Sequence, residues 1–147
     1  MREIRTEIVL DATPEAVWDA LTDLEAYAEW NPQTVEASGT VAEGERVELT
    51  VRPSGGRERT MTATVVAADR PRRLEWVSTL GSRWLFSARH TFELEPLEDD
   101  RTRLVNRERH AGVLVRFAVS DDAGSDYEAM NRALAERLAD AEPAPVS

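Results

Sequence analysis

Residues 90–110 read HTFELEPLEDDRTRLVNRERH, and this stretch decides the fold. Apolar and polar residues alternate through both of its halves, and the acidic residues 98–100 separate the halves. Alternation with a period of two is typical of a strand with one buried face, and a short polar gap joins two such strands as an antiparallel hairpin. The stretch therefore predicts two neighbouring strands of an antiparallel sheet.

One face of this hairpin is expected to point toward the interior of the protein. Successive side chains of a strand point to opposite faces, so residues of one parity share a face. The inward set is Phe86, Ala88, His90, Phe92 and Leu94 on the first strand and Leu104, Asn106, Glu108 and His110 on the second. If Leu94 lies opposite Leu104, then His90 lies opposite Glu108, with Cβ atoms about 4.5–5.5 Å apart. We therefore expect His90 and Glu108 to meet on the inward face.

The same period of two recurs in the rest of the chain between Gly and Pro breaks. It predicts strands at residues 2–11, 35–41, 46–51, 57–68, 72–79, 84–97 and 102–111. On the fifth of these strands, Leu74, Trp76 and Ser78 share a face. The gaps between the later strands are short, so successive strands should pair as an antiparallel meander.

Helical signals follow the first strand and return near the end of the chain. Thr13 is placed to cap a short helix that begins at Pro14, and a second short helix is predicted to end at Asn31, whose side chain should cap the backbone. A longer helix is predicted, with Ser125 or Asp126 able to cap its start. Residues 120–126 are interpreted either as a loop or as a frayed extension of this helix. Its apolar stripe is Tyr127, Met130, Leu134, Leu138 and Ala141. The predicted fold class is α+β, with a seven-stranded curved antiparallel sheet wrapped around a long C-terminal helix.

The composition excludes several kinds of chemistry. All 18 basic residues among the 147 are arginine, there is no cysteine, and the two histidines are His90 and His110. A Schiff-base lysine, a phosphate loop that ends in lysine, a thiol nucleophile and a cysteine-ligated metal are therefore impossible. The histidines show neither HxH nor HExxH spacing, so we predict no metal and no cofactor.

The net charge of −10 bears on partners and location. An acidic protein repels phosphate backbones, so we predict no nucleic-acid partner. The excess of acid with no lysine is typical of a salt-accumulating organism or of a GC-rich genome. The start of the chain is unlike a signal peptide and no apolar run approaches 18 residues, so we expect a cytoplasmic protein without stable membrane insertion. The length predicts one domain, residues 1–142, and a disordered tail, residues 143–147.

Several segments resemble one known family, in order and over nearly the whole chain. They are residues 8–18 (IVLDATPEAVW), 21–23 (LTD), 27–32 (YAEWNP), 71–76 (PRRLEW), 90–96 (HTFELEP), 102–104 (TRL), Glu108 with Gly112, and 127–131 (YEAMN). The sequence resembles the START-like or SRPBCC superfamily in these segments, within its polyketide cyclase/dehydrase-like branch. The resemblance implies a helix-grip fold around an elongated, largely apolar cavity. Members include lipid, sterol and hormone carriers, polyketide cyclases, oxygenase domains and chaperone activators, so it implies no single reaction.

Our first hypothesis is a monomeric or homodimeric protein that binds a small hydrophobic molecule, such as a lipid, isoprenoid or aromatic compound. The cavity would lie between the sheet and the C-terminal helix. The candidate ligand-binding residues are Trp30, Met61, Trp76, Ser78, Trp84, Phe86, Asn106, His110, Tyr127 and Met130. For the aromatic and methionine residues, simple packing in the core is the alternative interpretation.

Two further hypotheses come from other functional classes. In a cyclase or dehydrase, His90 would move a proton, Glu108 would orient it, and Asn106 or Ser78 would hold a carbonyl. The alternative interpretation of His90 and Glu108 is a pair that satisfies two buried polar groups without chemistry. The third hypothesis is an interaction module like the chaperone activators, which would act through its surface.

Overall fold

The computed structural model describes residues 2–54, 57–79, 86–112 and 123–141. Within these ranges the strands are β1 (Arg2–Leu10), β2 (Thr34–Gly39), β3 (Arg46–Val51), β4 (Arg59–Asp69), β5 (Arg73–Thr79), β6 (Ser87–Pro96) and β7 (Thr102–Ala111). They form one antiparallel sheet in the order β1-β7-β6-β5-β4-β3-β2. The meander from β2 to β7 is thus confirmed, and β1 pairs with β7 as the edge strand of the sheet.

The predicted register of the β6–β7 hairpin is confirmed. Leu94 lies opposite Leu104, Phe92 opposite Asn106, His90 opposite Glu108 and Ala88 opposite His110. Strand ends differ from the prediction by up to three residues: the strand predicted at 35–41 runs from Thr34 to Gly39, and β6 begins at Ser87. Residues 84 and 85 of the predicted sixth strand lie outside the described residues, as does the predicted tail at 143–147.

Among the described residues, the helices are α1 (Pro14–Thr22), a 3-10 turn (Leu24–Ala26), α2 (Tyr27–Trp30) and α3 (Ala123–Ala141). Thr13 caps α1, because its side chain accepts the N–H of Ala16 at 3.2 Å. Asn31 follows α2, and its Oδ1 accepts the N–H groups of residues 33 and 34, both at 2.9 Å. Both predicted caps are confirmed.

Of the two interpretations of the start of α3, the helical extension is confirmed for residues 123–126, and the capping role of Ser125 or Asp126 is wrong. This helix begins at Ala123, so Ser125 and Asp126 lie in its first turn instead of before it. Asp126 accepts the N–H of Ser54 at 3.1 Å and is buried. Its carboxylate therefore joins α3 to the segment after β3, which is a tertiary contact that a capping pattern does not reveal.

The core lies between α3 and the inward face of the sheet. Met130, Leu134 and Leu138 of α3 belong to the same buried cluster as Phe92 of β6 and Leu104 of β7. The three α3 residues recur at intervals of four, which places them on one face of the helix. The predicted fold class is confirmed: a seven-stranded antiparallel sheet carries a long C-terminal helix on one face and short helices after β1.

The outer face of the sheet carries rows of opposite charges. Arg103 contacts Glu95 at 3.0 Å and Arg107 contacts Glu93 at 2.6 Å across the β6–β7 hairpin. Glu75 on the neighbouring β5 differs, since only 5% of its side chain is exposed. It accepts hydrogen bonds from Thr91 at 2.7 Å, Arg73 at 2.9 Å and Arg89 at 2.6 Å. The carboxylate is therefore enclosed by three donors.

We expect Glu75 to make the stability of the protein depend on pH. Burial alone would raise the pKa of this carboxyl, but the hydrogen bonds from Thr91, Arg73 and Arg89 outweigh burial, and the pKa is lowered. A lowered pKa stabilises the folded state fully above the unfolded value of about 4.3, and this contribution is lost as the pH falls through the folded pKa. Chemical unfolding between pH 7 and 3 should therefore show the advantage of wild type over Glu75→Gln shrinking with acidification.

Glu95→Gln is the matched control, because 61% of the Glu95 side chain is exposed while it also pairs with an arginine. An exposed pair contributes little, so this variant should stay close to wild type over the same pH range. A gap between wild type and Glu75→Gln that is independent of pH would contradict the prediction.

Candidate functional site

Four polar side chains converge where β6, β7 and α3 meet. We call His90, Glu108, His110 and Tyr127 the polar cluster. His90 lies on the inward face of β6, Glu108 and His110 share the inward face of β7, and Tyr127 lies near the start of α3. Strand alternation explains why three of them share a face, and the stripe of α3 brings the fourth to the same place.

A chain of amides holds His90 from behind. Its Nε2 donates to Oδ1 of the fully buried Asn106 at 2.6 Å. The other end of that amide, Nδ2, donates to Oδ1 of Asn131 at 2.9 Å and contacts the sulfur of Met130 at 3.6 Å. Asn131 in turn donates to the hydroxyl of Thr6 at 2.9 Å. Since Asn106 presents an oxygen to His90, the imidazole carries a proton on Nε2.

Glu108 is the centre of the polar cluster. One of its oxygens accepts a hydrogen bond from Nε2 of His110 at 2.7 Å, and the other accepts from the hydroxyl of Tyr127. That second oxygen, Oε2, lies 3.6 Å from Nδ1 of His90. This separation is too long for a hydrogen bond. His90 and Glu108 are thus opposed as expected, yet each makes its shortest hydrogen bond to another residue.

Burial and charge act against each other in this pair. Burial lowers the pKa of His90, and the charge of Glu108 and the hydrogen bond to Asn106 offset only part of that effect, so the net shift is downward. Burial alone would raise the pKa of Glu108, but the hydrogen bond from His110 and the charges of His90, His110 and Arg59 bring it below its usual range. At neutral pH the site therefore pairs a neutral imidazole with an ionised carboxylate.

Aromatic rings surround the polar cluster. The ring of His90 stacks on Phe92 with centroids 4.3 Å apart, and Trp76 meets it edge-on at 6.0 Å. Phe86 stacks on His110 at 5.7 Å. The polar cluster is therefore largely buried beside aromatic rings, where a hydrogen bond is stronger than in water.

The other candidate residues occupy different positions. Trp76 and Met130 are buried in the core, whereas Trp30 and Met61 are half-buried against it. Ser78 is half-buried on β5, opposite Ala88 of β6. Trp84 lies outside the described residues. Their roles in ligand binding stay predictions.

The sequence reasoning missed Asn131 and Thr6. Asn131 lies four residues after Tyr127, on the same face of α3, and Thr6 lies between Ile4 and Ile8 on the inward face of β1. Both positions were readable from the helical and strand periods. A polar residue at an inward position is a signal for a buried hydrogen bond.

Two kinds of feature are absent from the described part of the chain. Among these residues, no group of three His, Cys, Asp or Glu side chains is placed to hold a metal ion. None of the described helices is long and apolar enough to cross a membrane.

Similarity to known proteins agrees with this architecture. The model of a family described as polyketide cyclase / dehydrase and lipid transport matches residues 1–141. A START superfamily protein from Mycobacterium smegmatis has a TM-score of 0.75 at 20% identity, over 94% of this chain and 97% of that one. A protein from Rhodobacter sphaeroides has a TM-score of 0.70 at 27% identity, over 95% of this chain and 94% of that one. No curated protein matches the sequence.

Proposed function

The chain belongs to the polyketide cyclase / dehydrase and lipid transport family, and from this we propose that it binds a small hydrophobic molecule between the sheet and α3. It would act as a single cytoplasmic domain, residues 1–142, as a monomer or homodimer. The ligand would be a lipid, an isoprenoid or an aromatic compound. The family alone supports ligand binding in general, so the hydrophobic character of the ligand rests on the site itself.

The observation that carries the proposal is one polar cluster within an apolar surface. Glu108, His90, His110 and Tyr127 are ringed by Trp76, Phe86 and Phe92, and the half-buried Met61 and Trp30 pack against the adjoining core. Sites for small molecules are mostly apolar, with a few placed polar groups that fix the orientation of the ligand. Methionine adds a wall that adapts to ligand shape.

Uptake of Nile red, a neutral apolar dye, tests this proposal. We expect saturable binding with a rise in fluorescence, measured at low and at molar salt because of the acidic composition. Met61→Trp replaces a flexible side chain on the inward face of β4 with a bulky indole ring. It should therefore weaken dye binding by filling space between the sheet and α3. Thr64→Trp is the matched control, since Thr64 lies exposed on the opposite face of the same strand. Absence of saturable dye binding by the wild type would contradict the proposal.

A second candidate function, an enzyme of the cyclase or dehydrase type, is favoured by one specific observation. Oδ1 of Asn106 accepts a hydrogen bond from Nε2 of His90, so Nε2 keeps its proton. Nδ1, beside the carboxylate of Glu108, is therefore the nitrogen that would take a proton from a substrate. Asn106 uses both ends of its amide within the protein, so Ser78 is the better candidate to hold a carbonyl.

Incubation with a β-hydroxy ketone, followed by measurement of the mass of the recovered compound, distinguishes an enzyme from a binding protein. A dehydrase would transfer the α-proton to His90 and return it to the β-hydroxyl, which leaves as water as the C=C bond forms. The recovered ligand would then have lost one water molecule. A binding protein would return the ligand unchanged, and His90→Gln would then make no difference to its mass.

The interaction-module hypothesis gains less support. Among the described residues, the large apolar side chains that are exposed are Val9 on β1 and Val66 on β4. Strands β7, β6 and β5 separate these two strands in the sheet. Single exposed apolar residues are normal on a protein surface and do not make a docking patch.

A further inference from the structure

The polar cluster contains two hydrogen-bond acceptors that face each other. Nδ1 of His90 and Oε2 of Glu108 lie 3.6 Å apart, and no described residue donates a hydrogen bond to that Nδ1. Because Nε2 holds the imidazole proton at neutral pH, Nδ1 presents a lone pair. Two lone pairs at this distance, one of them on an anion, repel each other unless a donor lies beside them.

The two ring nitrogens of His90 cannot exchange their roles as donor and acceptor. A turn of the Asn106 amide would point its oxygen at the oxygen of Asn131 and at the sulfur of Met130, which are both acceptors. The hydroxyl of Thr6 donates to the backbone carbonyl of Asn106 at 3.1 Å and thereby fixes the far end of the same network. The buried amides therefore commit Nε2 as the donor and keep Nδ1 as the acceptor.

Glu108 can accept more hydrogen bonds than it receives. A carboxylate offers about four lone-pair sites, whereas His110 and Tyr127 supply one donor each. The side chains of Glu108 and His90 are 14% and 13% exposed, so both keep a small accessible surface. A donor that reaches this surface would gain a charge-assisted hydrogen bond, which is about twice as strong as a neutral one.

We infer that the ligand presents a hydrogen-bond-donating, non-anionic head group, an alcohol, a phenol or an amine, at the pair formed by Nδ1 of His90 and Oε2 of Glu108. An alcohol or a phenol donates its one hydrogen to either of these acceptors. This inference rests on the proposed function and narrows it to a class of ligand. A carboxylate or phosphate head group would meet the ionised carboxylate of Glu108, whose side chain is only 14% exposed, and repulsion between like charges is strong away from water. Fatty acids and anionic phospholipids are thus excluded as ligands with this orientation.

Competition against Nile red with three ligands of equal chain length tests the inference. Decyl alcohol has a donor, decyl methyl ether has an acceptor alone, and decanoate is an anion. Since a hydrogen bond to a charged group is lost in the ether, the alcohol should displace the dye at a concentration roughly tenfold lower. Decanoate should be the weakest competitor at neutral pH.

Glu108→Gln provides the second measurement. The new amide can donate to Nδ1 of His90, which closes the gap and removes the anion, so the preference for the alcohol over the ether should fall and decanoate should improve. Glu95→Gln on the outer face should leave the displacement of Nile red by each of the three ligands unchanged. Folding of both variants is checked by thermal unfolding, and the ranking on the wild type decides the question even if Glu108→Gln does not fold.

The outcomes separate this inference from the proposed function. Dye binding with equal displacement by all three ligands, or strongest displacement by decanoate, would overturn the inference and leave the proposed function standing. If Nile red itself does not bind, both are overturned.

Discussion

Replacing Leu134 with alanine is expected to lower the free energy of unfolding by about 2–5 kcal/mol. Leu134 is fully buried at the middle of α3 and belongs to the cluster that joins this helix to the sheet. The substitution removes apolar area and leaves a cavity that the close-packed neighbours fill only in part. Guanidinium unfolding monitored by circular dichroism should show a lower midpoint with an unchanged slope.

Arg132→Ala is the control for this variant, because Arg132 lies exposed on the same helix. It should change the free energy of unfolding by less than about 0.5 kcal/mol, as expected for a surface position. Equal effects of the two substitutions would mean that α3 does not depend on its apolar stripe for its attachment to the sheet.

Asn106→Leu is expected to have the second largest effect. The change leaves Nε2 of His90 and Oδ1 of Asn131 without their partner. Each unsatisfied buried group costs about 1–3 kcal/mol. The ¹⁵N chemical shifts of His90 give a second readout, because the proton should be fixed on Nε2 in the wild type and shared between both nitrogens in the variant.

A double-mutant cycle with Asn131→Leu distinguishes a connected network from independent contacts. Once Asn106 is replaced, the Asn131 amide has already lost one partner, so the double variant should cost less than the sum of the single variants. Additive costs, together with a His90 proton that stays on Nε2, would contradict the positioning role of the amide chain.

The hairpin could be predicted because strand parity and one register determine which residues oppose one another. The order of β2 to β7 followed from the short gaps, whereas the pairing of β1 with β7 did not. Thr13 and Asn31 followed from local capping chemistry. The same register did not determine the hydrogen bonds of His90 and Glu108, whose side chains lie 3.6 Å apart and bond other residues. Register fixes backbone neighbours, whereas Glu108 bonds Tyr127 of α3, and Asn106, which holds His90, bonds Asn131 of α3. No local pattern encodes the approach of α3 to the sheet.

Glu75 shows a second limit of sequence reasoning. Its parity places it on the outer face of β5, where an exposed charge is the ordinary expectation. The side chain is nonetheless enclosed, because Arg73, Arg89 and Thr91 meet above it from its own strand and from β6. Long arginine side chains can cover a neighbour in this way, and their rotamers are not readable from a period of two.

The hydrogen bond between Asn131 and Thr6 has a consequence for the order in which the protein is made. It joins the first strand to the last helix across 125 positions of the chain. During synthesis the strands of the meander can pair as they emerge. However, β1 can pair only after β7 has been made, and Asn106 can bond Asn131 only after α3 has been made. A ribosome-bound chain that ends before residue 123 would thus contain His90 and Asn106 but neither Asn131 nor Tyr127, so the polar cluster is complete only when α3 reaches the sheet.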